Sequence, residues 1–551
     1  MHLLSTSRLE SKDLLTSESF DCRDAFGHGF YQSRLMLICA IAAFVASSHS
    51  FVFSLISGDV EFWCKQPWQF KFSLNDSTDA VVPSPANRTS DPCRIYDEHS
   101  NGQNSSTGVP CQQWEYDNDW AKTTVVSEWN LVCQRQPLTS LMTMIQTTGA
   151  AVFALVAGLT ADYAGRAPVL VLSLAILFVS AVGSCLSRNY AEHATAKFFT
   201  SGSSTVAMEM TGVVLFEVST HDHRPLRIVV AGVVGLVLGD LWYVAMIPVK
   251  LDWEVKQVIF ILPGVLLLPA AFLVDESPRW LIANSRHKAV EAAMLTAAKT
   301  NHFPLPSTAC LVEKLNRCAK KNALRRRAII QELFGDFPIR LRTLTMCGCS
   351  FTCTFATYVA FFSAPSLKTP WRPFLSFIAN VSGYAVMHLF IMKFSMLTVI
   401  MAWFVVLFGL QCLLSVTVVN PSAINELLIL LDVGFYYTGG FVFFVYVLEL
   451  FPTAVRTSAA GLTFAFGRVG AICASSALVL KSIGREDVAF ATAACLVFAS
   501  LVALRGLPPD TAVECARGTA GSVESKMSIK HMKNTLGSRL RCPGKARRDR
   551  P

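Results

Sequence analysis

Charge is what this chain has least of. Asp, Glu, Lys and Arg make up 16% of its 551 residues, against about 25% in soluble domains. Hydrophobic residues make up 52% and come in long unbroken blocks, which excludes a soluble globular fold. Other absences narrow the chemistry. No Walker A loop, dinucleotide fingerprint, Gly-x-Ser-x-Gly elbow or His-Glu-x-x-His motif occurs. ATP-driven transport and the common hydrolases are thereby unsupported, and no cofactor is expected. A membrane-embedded enzyme would need an acid/base or nucleophile cluster at one membrane face, and none is evident. No cleavable signal is evident either. Residues 1–33 are polar and mixed in charge, and the apolar run that follows is long enough to span.

What is present is a series of twelve apolar stretches, each about 20 residues, the length that crosses the hydrocarbon layer. They run over 35–57, 138–159, 167–187, 195–217, 226–248, 256–274, 343–364, 373–393, 396–418, 424–447, 457–480 and 487–506. Lipid satisfies no backbone groups, so these must be helices. The expected fold class is an all-α membrane protein with twelve transmembrane helices. The expected units are a tail (1–33), a six-helix half (34–274), a central loop (275–342), a second six-helix half (343–506) and a basic disordered tail (507–551).

Lys and Arg set the orientation. Segment 58–137 holds 6 Lys/Arg and 11 Asp/Glu, whereas 275–342 holds 13 and 6. The basic loop belongs on the cytoplasmic side, so both termini are expected to be cytoplasmic and 58–137 outside. The net charge of +9 is this cytoplasmic excess, and nucleic acid is not an expected partner. Segment 58–137 also carries Cys64, Cys93, Cys111 and Cys133. Four cysteines in an oxidising compartment imply two disulfides with three possible connectivities. Three glycosylation sequons lie there, at Asn75, Asn87 and Asn104. A fourth, at Asn380, falls inside a span and is expected to be unused.

One charged pair occurs twice. Glu217 precedes Arg224 by seven residues after one apolar run, and Glu449 precedes Arg456 by seven after another, 232 residues later. A third echo relates Glu276-Ser277-Pro278-Arg279 to Pro508-Pro509-Asp510-Thr511. Repeated halves are the architecture of secondary transporters, whose substrate site lies between them.

Six stretches, in order, make the pattern specific. They are Phe26-Gly27 to Tyr31-Gln32 before the first span, and Glu128-Trp129-Asn130-Leu131-Val132-Cys133 closing the outer loop. Next come Gly158 to Asp162 with Gly165-Arg166 after span two, and Glu276-Ser277-Pro278-Arg279-Trp280-Leu281 after span six. Glu449-Leu450-Phe451-Pro452-Thr453-Ala454-Val455-Arg456 follows span ten, and Leu507-Pro508-Pro509-Asp510-Thr511 follows span twelve. In these the chain resembles the major facilitator superfamily and, within it, the organic cation/anion/zwitterion (carnitine) transporter family. The resemblance implies two pseudo-symmetric six-helix halves, a large extracellular loop after helix 1, and transport of a small organic ion through the plasma membrane by alternating access. The chain departs from the family at Met392-Lys393-Phe394-Ser395, where an Asp-x-x-Gly-Arg turn is usual, at Val386-Met387-His388, and at Asp432. The alternative is therefore a non-transporting sensor or interaction protein on the same fold.

Charges inside spans are rare and mark function. Arg468 sits between Gly467 and Gly470 in span eleven. It is either a carboxylate clamp or half of a structural pair with Asp240 or Asp432. The resemblance ties Arg at this site to anion and zwitterion carriers. Asp240, Asp432 and His388 are the other candidates for intramembrane charge or proton coupling. Aromatics for a bulky organic ion are Trp242, Tyr243, Phe355, Tyr358, Tyr436, Tyr437 and Phe441, and the resemblance favours Tyr358. Lys197 is expected to snorkel to the outer interface. A cytoplasmic gate is expected from Asp162, Gly165, Arg166, Glu217, Arg224, Glu276, Arg279, Glu449 and Arg456, as weak solvated pairs crossing between the halves. Cys347, Cys349 and Cys353 do not match a zinc spacing, and no metal is expected.

Overall fold

Where no water can take the backbone's hydrogen bonds, an apolar run closes them within itself, and the computed structural model is built from such runs. It describes residues 29–58, 60–64, 93–95, 109–116, 123–219, 224–284, 286–302, 329–335, 337–363, 372–418 and 423–507. Asn75, Asn87 and Asn104 lie outside them, as does Pro508-Pro509-Asp510-Thr511.

The first half consists of α1 (Phe30–Ile56), α2 (Pro137–Ala164), α3 (Arg166–Cys185), α4 (Tyr190–Val218), α5 (Arg224–Met246) and α6 (Trp253–Val265). The second consists of α7 (Phe337–Ser363), α8 (Arg372–Lys393), α9 (Met396–Thr417), α10 (Ala423–Leu450), α11 (Arg456–Cys473) and α12 (Glu486–Arg505). Ten helices of the described residues are long and apolar enough to cross a membrane. The other two are α4, which carries His193, Lys197, Glu209 and Glu217, and α8, whose apolar part is the shorter Phe377–Lys393. α4 is polar because it lies inside the bundle: Lys197, Glu209 and Glu217 are all buried. By contrast Leu172, Val179, Val416 and Phe498 are exposed, an apolar outer surface that only lipid solvates. α6 is shorter than its apolar stretch. Pro263 and Pro269 remove two backbone donors, and the chain continues through turns to a short helix, Ala270–Leu273.

The packing repeats with a shift of six helices. α1 lies on α5 and α6 as α7 lies on α11 and α12, and α2 lies on α4 as α8 lies on α10. The halves meet along α2 against α11 and α5 against α8. The first contact needs glycine. A Cβ on Gly158 would stand 2.7 Å from the Thr457 carbonyl oxygen, and one on Gly461 would run into the Ala154 carbonyl.

The outer segment contributes two small antiparallel sheets. β1 (Phe62–Cys64), β2 (Arg94–Ile95), β3 (Val109–Pro110) and β4 (Trp114–Tyr116) pair as β1 with β4 and β2 with β3. The disulfides are Cys64–Cys111 and Cys93–Cys133. Thr124 caps the short helix Val125–Glu128, its Oγ1 accepting from the Ser127 amide at 3.1 Å. Trp253 at the head of α6 donates its Nε1 proton to Glu128 and packs on Trp129. The Glu128–Cys133 motif is thereby tied to the bundle.

In the central loop the structure shows helices Pro278–Ala283, His287–Thr300 and Ile329–Phe334. Asn301 ends the second and reaches α1, where its Oδ1 accepts from the Tyr31 amide at 2.9 Å and its Nδ2 donates to Gln32 Oε1 at 3.0 Å. The Tyr-Gln pair of the first motif is thus where the loop docks.

Candidate functional site

Between the halves lies a cavity of about 170 Å³. Each helix presents one face to it. α4 offers Thr205, Met208, Glu209 and Gly212, and α10 offers Tyr436, Gly440, Phe441 and Phe444. Both sets follow helical periodicity. Ser47 and Phe51 of α1, Tyr358 of α7, and Phe464 and Arg468 of α11 also line it. The guanidinium of Arg468 lies over the Phe464 ring, 5.1 Å from its centroid. That contact holds a planar cation in place while the half-buried side chain still borders the cavity.

Of the aromatics singled out by sequence, Tyr358, Tyr436 and Phe441 line the cavity. The Tyr437 side chain is outside the described residues. Phe355 does not line it and stacks on Phe351 at 6.1 Å. Trp242 packs edge-on against Phe44 and Phe260, and Tyr243 lies tilted on Phe51; Trp242 and Tyr243 both border the second hydrophobic cluster.

Neither intramembrane aspartate is held by Arg468. Asp240 Oδ2 accepts from Asn380 Nδ2 at 2.7 Å, bridging α5 to α8 across the halves. This places Asn380 in a buried contact rather than at a glycosylation site. Asp432 Oδ1 accepts from Gln411 Nε2 at 2.9 Å. His388 is half-buried on α8, away from the cavity. Lys197 is not at an interface. It is buried, and its Nζ donates to Gln257 Oε1 at 3.0 Å, since α6 offers an amide within reach where lipid offers none. Glu209, absent from the candidates that sequence patterns singled out, is 2% exposed on the cavity wall. Its signal was an acidic residue inside the span 195–217.

One end of the bundle is closed by a charged cluster. Asp162 ends α2 and Arg166 begins α3, and between them Gly165 takes φ +117°, a conformation that favours glycine. Arg166 Nη2 donates to Asp162 Oδ1 at 2.8 Å and to the Thr453 carbonyl at 3.1 Å. Glu276 accepts from the amides of Arg166 and Ala167 at 2.9 and 3.1 Å, a carboxylate at a helix N-terminus. Asp162 Oδ2 takes both the amide and the hydroxyl of Ser458, each at 2.7 Å, from the start of α11. Arg456 Nη1 donates to Glu217 Oε1 at 2.8 Å, while Arg166 Nε lies 3.6 Å from Glu217 Oε2.

These cross-half contacts differ from the solvated pairs expected of a gate. The side chains of Asp162, Arg166 and Glu217 are fully buried and that of Arg456 nearly so, because α2 and α11 close over them. Glu217 takes Arg456, from the opposite half. Arg279 lies within electrostatic reach of Arg456. Glu449 is half-buried at the end of α10, and the Arg224 side chain is outside the described residues. No cluster of three or more potential metal ligands occurs among the described residues.

Comparison with known proteins places this arrangement. Residues 95–512 match the family model described as sugar (and other) transporter. Mouse solute carrier family 22 member 4 is 28% identical over 378 residues, 68% of this chain and 67% of that one. Human organic cation/carnitine transporter 2 is 26% identical over 372 residues, and the chain spans 64% of its length. A Drosophila melanogaster organic cation transporter protein is 23% identical over 517 residues, 88% of this chain and 90% of that one. In fold, the chain matches the proton:xylose symporter XylE with a TM-score of 0.61 at 13% identity, covering 87% of this chain and 96% of that one.

The chain belongs to the sugar (and other) transporter family of the major facilitator superfamily, in its organic cation/carnitine transporter branch. It is a multi-pass membrane transporter by family, not an enzyme.

Proposed function

We propose that the protein is a plasma-membrane carrier that moves small organic ions, with anions and zwitterions favoured over cations, by alternating access without ATP. The observation that carries this reading is Arg468 bordering an inter-half cavity whose far end is sealed by cross-half pairs. A guanidinium offers a carboxylate two parallel donors, and Tyr358, Tyr436 and Phe441 supply the apolar walls. Relatives are named for organic cations and for carnitine, which supports a small organic ion as the cargo.

The Lys/Arg bias puts the sealed end and both termini in the cytoplasm. The disulfide-bonded segment, with the sequons at Asn75, Asn87 and Asn104, then faces outside. Transport requires Glu217–Arg456, Asp162–Ser458 and Arg166–Thr453 to separate so that the cavity opens inward. Opening wets charges that were dry, and that hydration offsets the lost pairing, so the two states stay close in free energy.

The test is uptake in a null cell line of labelled organic cations, carnitine-like zwitterions and dicarboxylates. Saturable anion or zwitterion uptake, lost in Arg468→Ala at equal surface expression, is the expected result. Uptake confined to cations overturns the role of Arg468. No uptake of any class at verified surface expression favours the non-transporting reading, which the missing Asp-x-x-Gly-Arg turn at 392–395 keeps in view.

A further inference from the structure

Glu209 has one carboxyl oxygen with no hydrogen-bond partner. Oε1 is buried and unpaired, and the residue lines the cavity within electrostatic reach of Arg468. Ser47 of α1 repeats the feature: it is 5% exposed, it lines the same cavity, and its Oγ has no partner. Buried polar atoms in native proteins are almost always hydrogen-bonded, and those that are not call for an explanation. Here two acceptors from two helices stand unsatisfied on the wall of one chamber, and Arg468 supplies donors on another.

We propose that Glu209 and Ser47 form the receiving site for the cationic end of the substrate, and that this end carries N–H groups. This rests on the transport reading above and narrows it. The cargo is then an amino or guanidino acid, its carboxylate on Arg468 and its ammonium or guanidinium on Glu209. A quaternary ammonium also suits an aromatic wall, but it has no hydrogen to give. With such a ligand the buried oxygens of Glu209 and Ser47 stay unpaired. Sites built to bond a polar group discriminate strongly against an analogue that lacks it. Plain monocarboxylates and dicarboxylates fare worse still, because they leave Glu209 without a partner or set a second carboxylate beside it.

The experiment compares matched ligands on purified wild-type protein and on Glu209→Gln, Ser47→Ala and Arg468→Gln. The ligands are glycine, β-alanine and 4-aminobutyrate, each against its N-trimethyl counterpart. Half-saturating concentrations are read from ligand-induced thermal stabilisation, and uptake of the same labelled compounds is read in cells. For wild type, the best amine should bind at least about tenfold tighter than its trimethyl partner. In Glu209→Gln that ratio should fall to within about twofold, in Ser47→Ala it should fall partway, and in Arg468→Gln both members should weaken together. Circular dichroism and surface expression identify a variant that merely fails to fold, and Glu209→Asp then replaces Glu209→Gln.

Equal or tighter binding of the trimethyl compounds by wild type overturns the assignment. So does a Glu209→Gln protein that keeps the amine preference. Uptake without amine preference sinks this inference and leaves the transport reading standing. Amine-selective stabilisation without uptake of any compound does the reverse. Failure of every ligand to bind removes this inference, while the transport reading stands or falls on the wider uptake panel of cations, zwitterions and dicarboxylates.

Discussion

Glu217 is shared by two guanidiniums from opposite halves, Arg166 at 3.6 Å and Arg456 at 2.8 Å, and all three are buried. Burial decides what such a pair does. Deleting one partner leaves an uncompensated charge and costs roughly 3–5 kcal/mol, whereas deleting both is far milder. Glu217→Gln and Arg456→Gln should therefore each lower the thermal stability of the purified protein. The double variant should lose less than the sum, with a coupling of about 1–3 kcal/mol in a double-mutant cycle. Strict additivity would mean that the pair does not lock the sealed end. In Glu217→Gln the sealed face should also become reactive to membrane-impermeant thiol reagents at positions now closed. Unchanged reactivity and unchanged cycling would remove Glu217 from the gate.

At the scale of elements, the α2–α11 crossing depends on Gly158 and Gly461 meeting backbone to backbone. Gly158→Leu should hold the helices apart at the cytoplasmic end. Surface expression should stay near wild type while uptake falls at least about tenfold, since a displacement of about 1 Å can cost two orders of magnitude where geometry is tight. Normal uptake in this variant would show that the crossing does not have to close.

The helices were legible in the sequence because lipid removes the alternatives to a helix. Span six was legible as a crossing within Trp253–Ala283, but its interruption was not: Pro263 and Pro269 break 256–274 into Trp253–Val265 and Ala270–Leu273. The motif residues were legible as residues but not as pairs. Pairing across the halves was expected from the repeat, but the spacing names no partners, and only the fold brings Arg456 to Glu217 from 239 residues away. Asp240 and Asp432 invited pairing with Arg468, yet each found an amide, Asn380 and Gln411, because neighbouring helices decide what a buried carboxylate meets. The disulfide connectivity was open for the same reason: the pairing of β1 with β4 brings Cys64 to Cys111, while Cys93 bonds Cys133 in the turn that precedes α2.

For the whole molecule, the six-helix shift in packing means that the two halves are alternatives of one another around a common cavity. A carrier of this kind opens to one side at a time. On the proposed reading, the bonds at the sealed end, Asp162 to Ser458 and Arg456 to Glu217, belong to one of its two states.

The most direct test is solute counterflow in proteoliposomes of the purified full chain, preloaded with the unlabelled organic ion that the uptake panel identifies. Alternating access through the Arg468 cavity predicts a transient accumulation of external labelled tracer above its equilibrium level, absent in Arg468→Ala. Tracer that only equilibrates, with wild type and Arg468→Ala alike, contradicts the account.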